Sequence, residues 1–184
     1  MAQTLEPDMS HHESDAAIAR VDAYMKNGGT ILFDTRDQSG AVTLSGASPA
    51  TLALRRILDG LDIPPLEPVP EDHVLTKTFY LLEGFPGRWT GSPMWVESSL
   101  APSGGTRPAR AGDGVSPIMI TANDMAGAWA VNDQGGFLLP TSPADPYQRE
   151  LAYRAGINIA IYTMTGNYKA DQVHIPALLE RLGQ

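Results

Sequence analysis

The chain begins with a helical pattern of hydrophobic residues and passes into a run in which they are consecutive. Ile18, Val21 and Met25 recur every three or four residues, which predicts an amphipathic helix capped by Ser14 and stopped by an Asn-Gly-Gly run. Residues 30–35 then predict a strand. Because its apolar residues are consecutive rather than alternating, we expect both of its faces to be covered, as in a central parallel strand.

A second helix and an extended crossing follow this strand. Ser48 suits a helix cap, Pro49 suits the first helical position and Gly60 ends the hydrophobic run, so a helix is predicted between them. The four prolines in residues 63–70 exclude a helix there. We interpret this segment as an extended crossing that leads into a short strand at residues 79–82.

The second half of the chain predicts further strands and one long helix. Residues 94–96 are compatible with an edge strand. Residues 115–122 predict another strand. Pro117 in its first half indicates a sheet edge or a bulge there. Residues 145–165 predict a major core helix, with Asp145 as its cap and a proline at its first position.

Helices that alternate with short buried strands predict an α/β fold, a three-layer sandwich with a mostly parallel, doubly wound sheet. We expect a flexible leader at residues 1–15 and a single domain at residues 16–184. Within it we expect a mobile loop at about residues 98–114 and a short last helix at residues 175–182. Because the first element is a helix, the strand that normally precedes it is missing, and the sheet is expected to be incomplete at the N-terminus.

Composition narrows the classes of function. The 184 residues, 42% of them hydrophobic, suffice for one core. A formal net charge of −8 argues against nucleic acid and anionic membrane surfaces as partners. With no cysteine, disulfides, thiolate nucleophiles and cysteine–zinc sites are excluded. We expect no direct membrane insertion, since no apolar run has the length of a membrane span, and a soluble chain that is cytoplasmic by default.

Charged residues cluster where two predicted strands end. Asp34, Arg36 and Asp37 follow the first strand, and Asp124 follows the strand at residues 115–122. In doubly wound sheets ligands bind at this edge, and such carboxylates suit a divalent cation or an acid–base pair. Two carboxylates three residues apart in an extended chain face opposite sides, so only a turn would bring them together. The alternative is structural, with Asp34 capping the loop or pairing with Arg36.

His73 is the other candidate for chemistry. A carboxylate such as that of the neighbouring Asp72 can orient a histidine ring and so make it a general base. Adjacent residues rarely orient one another in this way, and the alternative is that Asp72 caps a helix and His73 is half-buried. For three further histidines, a solvated or capping role is favoured over metal ligation: His11, His12 and His174. For three tryptophans, packing is favoured over stacking on a sugar: Trp89, Trp95 and Trp129.

Several stretches of the chain together carry a resemblance to a known family. They are GGTILFDTRD at residues 28–37, LRRIL at 54–58, LEPVPEDH at 66–73, Phe79-Tyr80, Asn123-Asp124 with Trp129, and RAGINI at 154–159 with Tyr162. In order and spacing they resemble the bacterial family catalogued as domain of unknown function 4159. The resemblance covers about residues 16–165.

The resemblance implies a fold similar to the class I glutamine-amidotransferase and flavodoxin-like α/β group, with no established activity. Many members of the family are the C-terminal part of a larger membrane-anchored protein, and full domains carry an N-terminal strand region ahead of the first helix. The family's usual histidine–proline pair is His73-Val74 here. Amidotransferase chemistry needs a cysteine nucleophile, and the corresponding position offers Thr35 or Asp34.

Three classes of function remain open. The first is a non-catalytic α/β module that binds a protein partner or self-associates within a larger bacterial envelope-associated system. The second is a binder of a small molecule or carbohydrate at the strand ends, through Asp34, Arg36, His73 and Asp124. The third is a metal-dependent hydrolase that uses Asp34, Asp37, His73 and Asp124. We favour the first class and expect no cofactor and no bound metal.

Overall fold

The helices and strands are known from a computed structural model, which describes residues 9–37, 47–98 and 115–165. In chain order they are α1 (Met9–Lys26), β1 (Ile31–Asp34), α2 (Pro49–Asp59), β2 (Leu66–Pro68), β3 (Trp95–Glu97), β4 (Ile118–Thr121), α3 (Met125–Trp129) and α4 (Pro146–Thr165). A short 3₁₀ turn, Val74–Thr76, lies between β2 and β3. None of the helices in the described part of the chain has the length and apolar composition needed to cross a bilayer.

The sheet has four strands in the order β1-β4-β3-β2. β1 and β4 are parallel, whereas β3 is antiparallel to both of its neighbours. The fold is therefore mixed α/β, and the expectation of a mostly parallel sheet is corrected. The physical reason lies between β2 and β3, where irregular chain replaces the crossover helix that a parallel connection needs.

β1 has nearly the predicted bounds but lies at an edge of the described sheet. Its apolar residues are covered on both faces, since Leu32 packs against one hydrophobic cluster and Ile31 and Phe33 pack against the other. The consecutive pattern was thus right about packing on both faces, with all four residues partly buried, and wrong about the central position. β4 lies inside the sheet, and β3, predicted as an edge strand, lies between β2 and β4.

The observed helix starts agree with the predicted ones where a capping residue is followed directly by a proline. Ser48 Oγ accepts a hydrogen bond of 3.0 Å from the N–H of Thr51 at the start of α2. Asp145 Oδ1 accepts one of 2.8 Å from the N–H of Tyr147 at the start of α4. The predicted cap of α1 is wrong, because that helix begins at Met9 rather than after Ser14.

Other predicted elements are missing or lie outside the described residues. Residues 79–82 do not form a strand, and Phe79 and Leu81 are 61% and 81% exposed. α3 was not predicted. The predicted mobile loop at about residues 98–114 lies beyond Ser98 outside the described residues, as does the helix at residues 175–182.

Two hydrophobic clusters flank the sheet. One joins α4 to the sheet and includes Met119 and the fully buried Tyr162. The other joins α1 and α2 to the opposite face and includes Met25 and Ile118. Because Ile118 and Met119 are adjacent in β4, the alternation of side chains along a strand sends one to each cluster.

A buried amide fastens the irregular segment between β2 and β3 to α4. Asn158 is fully buried, and its Nδ2 donates to the carbonyl oxygens of Leu75 and Tyr80 at 2.9 Å each. Its Oδ1 accepts from the N–H of Tyr80 at 2.9 Å. Asn158 therefore supplies three hydrogen bonds to a segment that forms no strand.

We expect Asn158→Ala to lower the free energy of unfolding by about 2–4 kcal/mol, because it leaves these backbone groups without partners. Urea denaturation measures the loss. Thr163→Ala, on an exposed part of the same helix, is the control and should change stability by less than about 0.5 kcal/mol. Equal unfolding midpoints for the two variants would contradict this role of Asn158.

Candidate functional site

The carboxylate of Asp34 binds backbone N–H groups. Its Oδ1 accepts from the N–H of Arg36 at 3.2 Å and from the N–H of Asp124 at 3.1 Å. Its Oδ2 accepts from the N–H of Met125 at 2.7 Å. Asp34 thus joins the end of β1 to the start of α3, the helix that follows β4, and the structural interpretation of this residue is supported.

Asp37 lies at the start of a different helix. Its carboxylate accepts hydrogen bonds from Thr35 Oγ1 at 2.6 Å, from Thr51 Oγ1 at 2.8 Å and from Ser48 Oγ. Burial acts to raise the pKa of Asp37, but these hydroxyl donors, Ser48 foremost, outweigh it and lower the pKa below its usual value. Asp37 is thus held as a carboxylate beside the cap of α2.

Arg36 lies between the two carboxylates, and its backbone has a φ of 54°, in the left-handed region. The sequence indicated that Asp34 and Asp37 face opposite sides of an extended chain and that only a turn after Thr35 would bring them together. Instead, the two side chains bind the N-terminal ends of two different helices.

Asp124 is a cap and one half of an ion pair. It also has a φ of 54°, and its Oδ1 accepts from the N–H of Gly127 at 3.1 Å. Its Oδ2 lies 3.0 Å from Arg88 Nη1, and its side chain is only 6% exposed. Arg88 also donates through Nε to the carbonyl oxygen of Pro140 at 2.9 Å. The sequence did not point to Arg88, which stands in a Gly- and Pro-rich stretch without a periodic pattern.

The backbone around Arg88 is fixed by neighbouring amides. Asn123, 1% exposed, donates through Nδ2 to the carbonyl oxygens of Phe85 and Ser92 at 2.9 and 2.7 Å. Gly87 lies so close to the backbone of Asn123 that no side chain fits at this position. The segment from Phe85 to Ser92 is therefore held against the end of β4.

His73 lies apart from the strand ends. Its Nδ1 accepts from the N–H of Leu75 at 3.1 Å, so His73, rather than Asp72, caps the 3₁₀ turn. Its ring lies 5.7 Å from that of Tyr162. Burial lowers the pKa of His73, and the nearby carboxylates of Asp72 and Glu67 oppose this effect only in part. The expectation of a half-buried histidine is confirmed.

The predicted site residues therefore do not form one site. Asp34 contacts Asp124 and Arg36 through their backbone N–H groups, while Asp37 lies at α2 and His73 contacts Tyr162. Among the described residues, no three histidine, aspartate or glutamate side chains are placed to hold a metal ion. A metal centre built on Asp34, Asp37, His73 and Asp124 receives no support from these contacts.

Three surface cavities lie elsewhere, and none of the five predicted residues or the tryptophans lines them. Two, of about 690 and 520 Å³, share the walls Glu83, Gly84, Phe85 and Thr90. The third, of about 550 Å³, lies between Phe137 and Tyr153. The sequence gave no signal for these cavities, because their walls come from irregular segments and the start of α4.

Asp34→Asn is expected to lower the free energy of unfolding by about 2 kcal/mol, because an amide cannot accept all the hydrogen bonds that both carboxylate oxygens accept. Urea denaturation at pH 7 measures the change. Asp133→Asn removes an exposed carboxylate and should have little effect. An unchanged midpoint for Asp34→Asn would show that these backbone contacts do not matter.

His73 should make folding stability depend on pH. Because its pKa is lowered from 6.5 in the folded state, the unfolded chain binds the proton more readily, and stability falls as pH decreases from 6.5 toward the folded-state pKa. His73→Asn keeps a cap acceptor and removes this titration. Melting temperatures between pH 8 and pH 5 should therefore fall less for the variant, and parallel curves would contradict the assignment.

Comparison of the sequence with protein families identifies the family of this chain. The model of a family described as a domain of unknown function, DUF4159, matches residues 6–164. This range includes all the helices and strands of the structure except the last residue of α4. A comparison with curated proteins found no significant match. The chain belongs to the DUF4159 family.

Proposed function

We propose that this domain is a protein-interaction module, and the observation that carries the proposal is an exposed apolar surface. Three consecutive residues, Phe137, Leu138 and Leu139, are 56%, 58% and 39% exposed, and Val131 and Tyr153 beside them are 47% and 39% exposed. We call these five residues the Phe137 surface. Contiguous apolar groups that stay in water are a frequent mark of a binding surface.

The Phe137 surface is built on a hydrogen-bonded turn. Asn132 accepts through Oδ1 from the N–H groups of Gln134 and Gly136 at 3.0 and 2.8 Å. Leu138 donates its N–H to the carbonyl oxygen of Ala130 at 3.0 Å. These bonds fix the backbone of the turn that carries the apolar side chains, which lowers the entropy cost of ordering it on binding.

Arg149 supports the same surface from below. Its guanidinium lies 4.0 Å from the centre of the Phe137 ring and donates to the carbonyl oxygens of Ala128 and Leu139. Arg149 is 8% exposed and also lines the groove next to this surface. Phe137 and Tyr153 form two walls of the 550 Å³ groove described above.

Charge indicates the kind of partner. Asp145 borders the groove together with Glu150, whose carboxylate pairs with Arg154, and with the buried Arg149. Asp133 lies in the turn that carries the surface. The whole chain carries a formal net charge of −8, so a second copy would be repelled. We therefore propose a protein segment whose apolar side chains are flanked by basic residues.

The other proposals for function have less support. Binding of a small molecule or carbohydrate by the strand-end residues is opposed by the backbone and hydroxyl contacts of Asp34 and Asp37. We also propose a relation to the glutamine-amidotransferase and flavodoxin-like group, supported by the parallel β1–β4 pair and by helices on both faces of the sheet. A place in a larger bacterial envelope-associated system is a proposal that rests on family resemblance.

Binding of a labelled 12-residue leucine–lysine peptide, followed by fluorescence anisotropy, tests the proposed function. Leu138→Asp should weaken binding roughly 10- to 100-fold, because it removes the burial of one leucine side chain. The added negative charge would strengthen an interaction driven by charge alone, so a loss of affinity identifies the apolar contact.

Two controls complete this experiment. Met164→Asp adds the same charge at a residue that is 82% exposed and outside the Phe137 surface, and it should leave the affinity unchanged or slightly higher. A leucine–glutamate peptide of the same length should bind weakly. Equal affinities of the two aspartate variants for the lysine peptide would overturn the proposal.

A further inference from the structure

The nitrogen atom of His73 that caps the 3₁₀ turn is also the atom at which this ring takes up a proton. Nδ1 accepts from the N–H of Leu75 at 3.1 Å, so the neutral ring carries its proton on Nε2. Protonation therefore adds a proton at Nδ1, and an imidazolium ring has two donors and no acceptor. The capping hydrogen bond and the charged ring thus exclude one another.

The N–H group that loses its acceptor on protonation is buried. Leu75 is 0% exposed, so water cannot replace His73 while the turn stays closed. A buried backbone donor without an acceptor costs free energy, and two N–H groups that point at each other repel. The protonated ring must therefore leave its capping position, and the turn loses the bond that closes it.

The charged groups around His73 favour the protonated ring once it has left the cap. Asp72 in the same segment and Glu67 in β2 attract a positive ring, whereas Lys77 repels it. From α4 the ring meets only the buried and neutral Tyr162. Because burial lowers the pKa of His73 in the capped position, the released ring binds a proton more tightly, and acid shifts the equilibrium toward release.

The 3₁₀ turn belongs to the wall of the cavity of about 690 Å³. Thr76, the last residue of the turn, and Leu82 both line this cavity. The carbonyl oxygen of Thr76 accepts from the N–H of Leu82 at 2.8 Å, and Thr76 Oγ1 donates to the carbonyl oxygen of His73 at 2.7 Å. Release of the cap is therefore transmitted to two residues of the cavity wall.

Asn158 limits how far this opening spreads. From α4 it binds both backbone groups of Tyr80 and the carbonyl oxygen of Leu75. These hydrogen bonds do not involve His73, so protonation leaves them in place. The opening is thus confined to the turn and to the contact between Thr76 and Leu82.

We propose that His73 is an acid-operated switch that opens this wall of the cavity. With the neutral ring, Nδ1 caps the turn, and Thr76 and Leu82 close the wall. With the protonated ring, the Leu75 N–H is released and the wall opens. The switch is part of the fold and does not depend on the proposed interaction with a protein.

Amide hydrogen exchange of the full chain, followed by NMR at pH 7.5 and pH 5, tests the proposal. Protection factors, taken against the intrinsic exchange rate at each pH, remove the pH dependence of exchange itself. At pH 5 we expect the protection of Leu75 and Leu82 to fall at least about tenfold, as for a released ring that binds its proton about ten times more tightly. Tyr80 and β4 should keep their protection. Unchanged protection of Leu75, or an equal loss in β4 through global unfolding, would overturn the proposal.

Variants assign the effect to the ring of His73. His73→Asn keeps a capping acceptor that does not titrate, so the protection of Leu75 should be the same at both pH values. Asp72→Asn removes a carboxylate that attracts the protonated ring and should move the loss of protection to lower pH. Asp133→Asn removes an exposed carboxylate from another turn and should not move it. The same pH dependence in the wild type and in His73→Asn would show that the switch does not exist.

Discussion

The carboxylate of Asp34 links the ends of the two parallel strands. It accepts three backbone N–H hydrogen bonds, two of them from Asp124 and Met125, where α3 begins shortly after β4. The chain after β4 must therefore turn directly into α3, and Asp124 adopts the unusual backbone conformation that this turn requires. The position of Asp124 in turn sets that of Arg88, and with it the Gly- and Pro-rich segment that forms two cavity walls.

This constraint moves candidate functions away from the edge where an α/β sheet usually binds ligands. Lone pairs that bind backbone N–H groups are not free for a metal or a substrate. The accessible chemistry lies instead around the start of α4, where irregular segments leave cavities and exposed side chains. Arg149 and Gln148 are neighbours there, and one supports the apolar Phe137 surface while the other lines the cavity of about 520 Å³.

In the proposed interaction at the Phe137 surface, acidic groups beside the apolar side chains would select among partners, while burial of leucine and phenylalanine would supply affinity. Arg149 is buried, donates to the carbonyl oxygens of Ala128 and Leu139, and also lines the groove beside this surface.

Local rules in the sequence determined the elements that depend on neighbouring residues. Ser48 with Pro49, and Asp145 with Pro146, marked the starts of α2 and α4, and the consecutive apolar residues of β1 indicated a strand covered on both faces. The family was also recognisable from its spaced stretches. Tertiary structure alone decided that β1 lies at an edge, that β3 is antiparallel, and that Asp34 and Asp37 bind different helices. These outcomes depend on partners that are distant in sequence, since Asp34 accepts hydrogen bonds from residues 90 and 91 positions away. The hydrophobic pattern of one segment does not indicate which backbone groups of another segment will lie beside it.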